Sequence, residues 1–141
     1  MSDKGQARFV DRFSVVSDNP APPVPDGQRE EESVGTFGYL RGVRDRSLML
    51  ELRFKDGSIT AFSYALLDRA SFDPSEGIRL RFPGQEVRLV GRFLNDAAGG
   101  AVRLFEAITR HRVVWVQEVS RADSMEAQDG VPIVDAILLG K

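Results

Sequence analysis

The chain has 141 residues, 28% of them charged and 42% hydrophobic, with a net charge of −2, one histidine and no cysteine. That length suits one domain with tails, and the missing cysteine excludes disulfides, thiolate catalysis and cysteine-ligated zinc. No apolar run approaches the ~20 residues that span a bilayer, and Met1–Phe9 lacks the apolar core of a signal peptide, so a soluble, cytoplasmic protein with no membrane partner is expected.

Charge is unevenly placed. Residues 1–32 carry four basic and seven acidic groups, residues 33–118 thirteen and ten, and residues 119–141 two and four. The division expected from this is an N-terminal tail (1–32), a mildly basic domain (33–118) and a C-terminal tail (119–141). An 86-residue core would bury roughly 60–65% of its unfolded surface, enough to fold unaided. Sixteen of the nineteen basic residues are Arg, a bias that a high-GC bacterial genome also produces.

Phe9, Val10, Phe13 and Val16 share the spacing of one short amphipathic helix over residues 7–17. Pro20-Ala-Pro-Pro-Val-Pro25 and Glu30-Glu31-Glu32 then form a linker. Val34 to Arg46, punctuated by Gly35, Gly38 and Gly42, reads as an irregular or edge segment. Leu48, Leu50, Leu52 and Phe54 alternate with Met49, Glu51, Arg53 and Lys55, the period of a half-buried strand. Asp56-Gly57 predicts a two-residue hairpin turn, with Phe54 opposite Ile59 and Leu52 opposite Ala61. That register leaves Phe62 and Tyr64 on the outer face.

Leu66–Phe72 predicts a third strand. Ile78, Leu80 and Phe82 give the inward face of a fourth, and Val87, Leu89 and Phe93 that of a fifth. Five short strands with tight connections predict a mainly β chain folded as a small, strongly bent antiparallel barrel. A helix over residues 101–111 follows, with Ala101, Leu104, Phe105 and Ile108 as its apolar stripe. Val113–Glu118 reads as an extended apolar run. In the last segment Pro132 suits the first position of a short helix, and Ile133–Leu139 has the composition of a docking peptide.

Leu50-Glu-Leu-Arg-Phe-Lys-Asp-Gly57, Tyr64, Asp73-Pro-Ser-Glu-Gly-Ile-Arg-Leu-Arg-Phe82 and Val87-Arg-Leu-Val-Gly-Arg92 resemble the strand pattern of the bacterial Sm-like/SH3-like small barrels, over residues 48–118. The resemblance implies a five-stranded barrel with one helix, self-association and RNA as a partner. Sm-type RNA binding uses an Asp-x-x-Asn signature and a late Arg/Lys-Gly pair. Here Thr60-Ala-Phe-Ser-Tyr64 holds neither Asp nor Asn, and Gly91-Arg92 stands in reversed order. Arg8 and Arg12 have the spacing of a PilZ-type cyclic-dinucleotide motif, but Asp45-Arg-Ser47-Leu-Met-Leu50 lacks its glycine and Asp73-Pro-Ser75-Glu-Gly77 closes one residue early.

No phosphate-loop, dinucleotide or nucleophile-elbow motif occurs. His111, between Arg110 and Arg112, suits a helix C-terminus better than general-base work. Asp73 and Glu76 belong to a turn whose chemistry explains them. No catalytic residue, metal or cofactor is therefore expected. Two surfaces remain.

Arg79, Arg81, Arg88 and Arg92 fall on one outer face. If Phe82 pairs with Gln85, Arg79 faces Arg88; if Phe82 pairs with Val87, Arg81 does. Either repulsion suggests an anionic partner, with nucleic acid as the candidate. Phe62, Tyr64 and Trp115 form the candidate interaction surface, to be covered by the helix, the N-terminal segment or another subunit. The leading expectation is a non-catalytic binding and assembly module, a homo-oligomer that also meets a protein partner through its tails. RNA binding through the arginine face is the alternative.

Overall fold

A computed structural model of the chain describes residues 30–97, 102–126 and 130–141. The expected helix at residues 7–17, Pro20–Pro25 of the linker and Ala101 lie outside the described residues, whereas Glu31 and Glu32, expected in the linker and N-terminal tail, belong to the first strand. Among the described residues nine strands run in chain order, the first four being β1 (Glu31–Val34), β2 (Phe37–Leu40), β3 (Met49–Arg53) and β4 (Ile59–Ser63). A 3-10 turn (Tyr64–Leu66) leads to β5 (Arg69–Asp73), β6 (Gly77–Phe82) and β7 (Gln85–Arg92). Helix α1 (Leu104–Thr109), β8 (Val113–Gln117), helix α2 (Arg121–Glu126) and β9 (Ile133–Gly140) complete the chain.

The chain is mainly β, but its strands do not close into the expected five-stranded barrel. They form two sheets, ordered β1-β2-β8-β3-β4 and β5-β6-β7-β9. Closure would require the edges of β3 and β7 to find each other. Instead β8 takes the edge of β3, running parallel to it, and β9 takes the edge of β7. Helix α1 falls within the helix expected over residues 101–111 and is shorter than it, and α2 was not expected. Among the described residues no helix is long and apolar enough to cross a membrane.

Residues 34–46 are not an irregular segment throughout. Gly35, with φ 59°, lets the chain turn from Val34 to Phe37, and all four residues of β2 are buried between β1 and β8. Pro132 does not open a helix. It precedes β9, where Pro is tolerated because the strand's first position need not donate to the ladder. Ile133, Val134 and Ile137 are buried there, so the segment expected to be a tail and docking peptide is part of the second sheet.

The β3–β4 hairpin differs from expectation by one residue, with a large consequence. Leu50 pairs with Phe62 and Leu52 with Thr60, because the loop has three residues (Lys55, Asp56, Gly57) and not two. Gly57 N–H donates to the Phe54 carbonyl at 3.0 Å, Phe54 N–H to Ser58 at 2.9 Å, and Gly57 has φ 93°. This is the type I turn with a left-handed glycine that three-residue hairpins favour. A one-residue shift exchanges the faces of a strand. Phe62 therefore turns inward and stacks on Phe82, ring centroids 4.6 Å apart. Leu48, expected inside, is 73% exposed.

The core fills the space between the sheets: Phe37, Leu50, Leu52, Ile78, Leu80, Val87 and Leu89, joined by Leu104 and Ile108 of α1. Each such side chain contributes about 1.5–3 kcal/mol of hydrophobic burial. Helix α1 packs on β5 and β8, one strand from each sheet. Phe93, expected to face inward at the end of β7, follows that strand in the left-handed region with φ 59° and is only half-buried.

Helix α1 ends in a Schellman arrangement, in which Arg112 N–H donates to Ala107 and His111 N–H to Ile108, both at 2.9 Å. His111 takes the left-handed position, φ 59°, and its ring stacks on Tyr64 at 4.5 Å. Burial, then the nearby Arg46 guanidinium, holds its pKa below the usual histidine value; Arg110 and Arg112 flank it in sequence. The unfolded chain therefore takes up this proton more readily, and stability is lost as pH falls from the ordinary histidine value of about 6.5 through the lower folded one. Urea midpoints are expected to drop from pH 7.5 to pH 5.5, and His111→Asn, which tolerates positive φ, should flatten that drop. An unchanged slope in the variant would remove His111 as its source.

Candidate anion-binding face

The turns flanking β6 place the arginines. Asp73 Oδ1 accepts from the Ser75 amide at 2.8 Å and its hydroxyl at 2.7 Å, and these bonds hold the Asp73 carboxyl below the usual carboxylate range. Asp73 and Glu76 are thus turn residues, with Glu76 also ion-paired to Arg79. Gly77, at φ 101°, lies so close to β7 that an added Cβ would sit 2.1 Å from the Leu89 carbonyl oxygen. Between β6 and β7, Pro83 and Gly84 (φ 74°) supply the residues a type II turn needs.

These turns set Phe82 opposite Gln85, the first of the two registers considered from sequence, with Arg81 opposite Glu86 and Arg79 opposite Arg88. On the other side of β6, Arg69 stands opposite Arg81 and Ser71 opposite Arg79. The outer face therefore carries two rows: Arg69, Arg81, Glu86 and Gly140, then Ser71, Arg79, Arg88 and Leu138. Opposed residues in such a ladder are about 4.5–5.5 Å apart at Cα.

The four arginines differ in what they meet. Arg79 lies between Glu76 and Glu86, the latter 3.7 Å away. Arg88 Nε donates to the Glu76 carbonyl at 3.2 Å. Arg69 and Arg81 are exposed, and among the described residues no carboxylate lies in ion-pair distance of either. A depression of about 150 Å³ lies among Arg69, Ser71, Arg79, Arg81 and Glu86. A second, of about 180 Å³, adjoins it beside Arg88 and Leu138. Such a face can hold an anion between guanidinium groups, with the Ser71 hydroxyl as a further donor.

Arg92 does not join this group. It lies beyond the irregularity between Val90 and Gly91, four residues and about 13 Å along the strand from Arg88. Arg69 and Ser71 were not among the sequence candidates. The signal was present, since pairing Asp73 with Gly77 across the turn places Arg69 opposite Arg81.

Phe62, Tyr64 and Trp115 are not brought together on one surface. Phe62 is half-buried against Phe82. Tyr64 is 3% exposed and its hydroxyl donates to the Val113 carbonyl at 2.7 Å; burial pushes its phenol pKa up. Trp115 lies on the outer face of the first sheet, where Nε1 donates to Glu31 Oε2 at 2.7 Å and the Arg53 guanidinium lies 4.6 Å from the ring centroid. Gly38 leaves room for this ring, since a Cβ there would meet Nε1 at 2.2 Å. Among the described residues no group of three His, Asp or Glu side chains is placed to hold a metal ion. Comparison with protein-family models, with curated proteins and with solved structures gives no match to this chain.

Proposed function

We propose that this chain is a non-catalytic binding module that takes the phosphate backbone of a nucleic acid on the outer face of β5-β6-β7. The observation that carries this reading is the cross-strand pair Arg69–Arg81, two exposed guanidinium groups with no carboxylate partner among the described residues, beside the opposed pair Arg79–Arg88. Like charges directly opposite one another destabilise a sheet by some tenths of a kcal/mol, and a bound phosphate offsets that repulsion while accepting several N–H bonds. No aromatic residue stands in the two rows, so contact is to phosphate and sugar and carries little base preference. This departs from Sm-style reading, for which Thr60–Tyr64 offers no Asp-x-x-Asn. The overall charge of −2 makes binding depend on this local patch.

The test is fluorescence anisotropy with a labelled oligouridylate of about 20 nucleotides, titrated between about 50 and 200 mM salt. Affinity should fall by about 0.7 log units per log unit of salt for each phosphate contacted. Arg69→Glu/Arg81→Glu should bind at least tenfold more weakly, about 1.4 kcal/mol, with the parent's circular dichroism, although Arg81→Glu sets a second carboxylate opposite Glu86. Salt-independent binding, or a charge-reversed variant that binds like the parent, would remove the reading.

A further inference from the structure

Among the described residues two open sheets leave four edge strands, and one of them differs from the others. β1 presents Glu31 and Glu32, both exposed. β5 carries Arg69 and Asp73 at its ends. β9 has its edge groups occupied: Val134 N–H donates to Thr36 Oγ1 at 3.0 Å, the Val134 carbonyl accepts from Val119 N–H at 3.0 Å, and Ile137 N–H donates to Glu118 Oε2 at 2.9 Å. Charge and cover of these kinds are how sheet edges are kept from pairing with other chains.

β4 has neither. Its sequence, Ile59-Thr-Ala-Phe-Ser63, contains no charged residue and no proline. The Phe54–Ser58 hydrogen bond fixes which backbone groups face β3, because bonded and unbonded pairs alternate along an antiparallel ladder. Thr60 and Phe62 bond to β3, which leaves the N–H and C=O groups of Ile59, Ala61 and Ser63 directed to the outer edge. The neighbouring strand agrees: Glu51 and Arg53 of β3 face β8 and its continuation, where the Arg53 carbonyl accepts from Glu118 N–H at 2.8 Å. Among the described residues no backbone hydrogen bond reaches Ile59, Ala61 or Ser63 from outside their sheet. Ile59 is 58% exposed and Ala61 is exposed beside this row.

We infer that the edge of β4 pairs antiparallel with β4 of a second copy of this chain, about a twofold axis at Ala61. Such an axis sets Ala61 against itself and Ile59 against Ser63 of the other copy, so every edge-directed N–H meets a C=O. It also brings the side chains of two identical edges within reach of one another, where like charges would repel. At β4 the facing residues are Ile, Thr, Ala, Phe and Ser, and nothing repels. β1 would bring Glu31 and Glu32 of the two copies to the same interface. A second copy fits this edge on charge as well as on hydrogen bonding. The inference is independent of the arginine face, which lies on the other sheet.

A five-residue ribbon buries less than the roughly 1,200 Å² of standard stable interfaces, so the dimer should dissociate in the micromolar range. Light scattering coupled to size exclusion, with the full chain loaded between about 5 and 500 µM, should show mass rising from monomer to dimer. Amide hydrogen exchange should show protection at Ile59, Ala61 and Ser63 that grows with concentration. Ala61→Lys, which sets two lysines together at the axis, should leave a monomer with the parent's circular dichroism. A parent that stays monomeric throughout would overturn the inference, and so would a dimer that persists in Ala61→Lys. If that variant does not fold, the parent's exchange decides: concentration-independent exchange at these three amides overturns the β4 assignment.

Discussion

Gly91→Ala is expected to destabilise the fold by about 3–5 kcal/mol, a large part of the 5–15 kcal/mol that holds a domain of this size. Gly91 sits in β7 where the ladder to β9 skips a residue, opposite Val134 and next to the Arg92–Ile133 pair. A Cβ there would lie 1.8 Å from the Ile133 carbonyl oxygen, 2.9 Å from its carbon and 3.0 Å from Val134 Cα. All three obstacles are backbone, so no rotamer change relieves them. Overpacking a core typically costs about 1–3 kcal/mol when side chains can yield; here β9 itself must move away, exposing Ile133 and Val134 as it goes. Gly57→Ala is the control. It meets nothing within 4 Å but has φ 93°, so it should lose only about 1–2 kcal/mol of left-handed strain. Urea unfolding of both variants separates steric from torsional loss. A Gly91→Ala protein within 1 kcal/mol of the parent, about one tenth of a typical domain's stability, would mean that β9 does not approach β7 this closely.

Gly91 also shows where sequence reading succeeds and where it stops. Read locally, Gly91-Arg92 is a reversed copy of an RNA-binding pair; in the fold the glycine answers to a strand more than forty residues away in sequence. The β6–β7 hairpin was legible because its information is local: alternating Ile78, Leu80 and Phe82, a Pro-Gly turn, then alternating Val87 and Leu89. Two registers were compatible with that pattern, both with Arg79, Arg81 and Arg88 on one face, and the fold takes the one that sets Arg79 opposite Arg88. Arg69 escaped because its place depends on pairing across a second turn. The β3–β4 hairpin was found but set one residue out, since Asp56-Gly57 serves both two- and three-residue loops. β8 between β2 and β3, and β9 on β7, are partnerships between distant segments, and periodicity records that a strand exists without recording its neighbour. The apolar run Val113–Val116 was the clue to a strand, but that β2 and β3 take its two edges could not be read from it.

Glu118→Ala is expected to cost about 2–4 kcal/mol, because this one carboxylate joins the two sheets. Oε1 accepts from Lys55 N–H in the β3–β4 loop and Oε2 from Ile137 N–H in β9, each at 2.9 Å. Hydrogen bonds to a charged group contribute about 1.5–3 kcal/mol each. The two losses are unequal. Lys55 is exposed and water can replace the carboxylate there, whereas Ile137 is 5% exposed, so its amide is left short of an acceptor. Glu118→Gln retains the volume and one acceptor oxygen and should recover about half of the loss. Thr36 holds the same edge of β9 nearer its start, through Val134 N–H, so Thr36→Val alone should cost about 1–3 kcal/mol. If β9 separates from the first sheet as a unit, the second substitution finds part of the contact already gone. The double variant should then lose less than the two single losses together, by at least ~0.5 kcal/mol. Urea midpoints for the four proteins of this cycle, with exchange of the Ile137 amide, test it. Strict additivity would mean that Thr36 and Glu118 hold β9 independently, and a Glu118→Ala protein as stable as the parent would mean that the Glu118 carboxylate does not help to join the sheets.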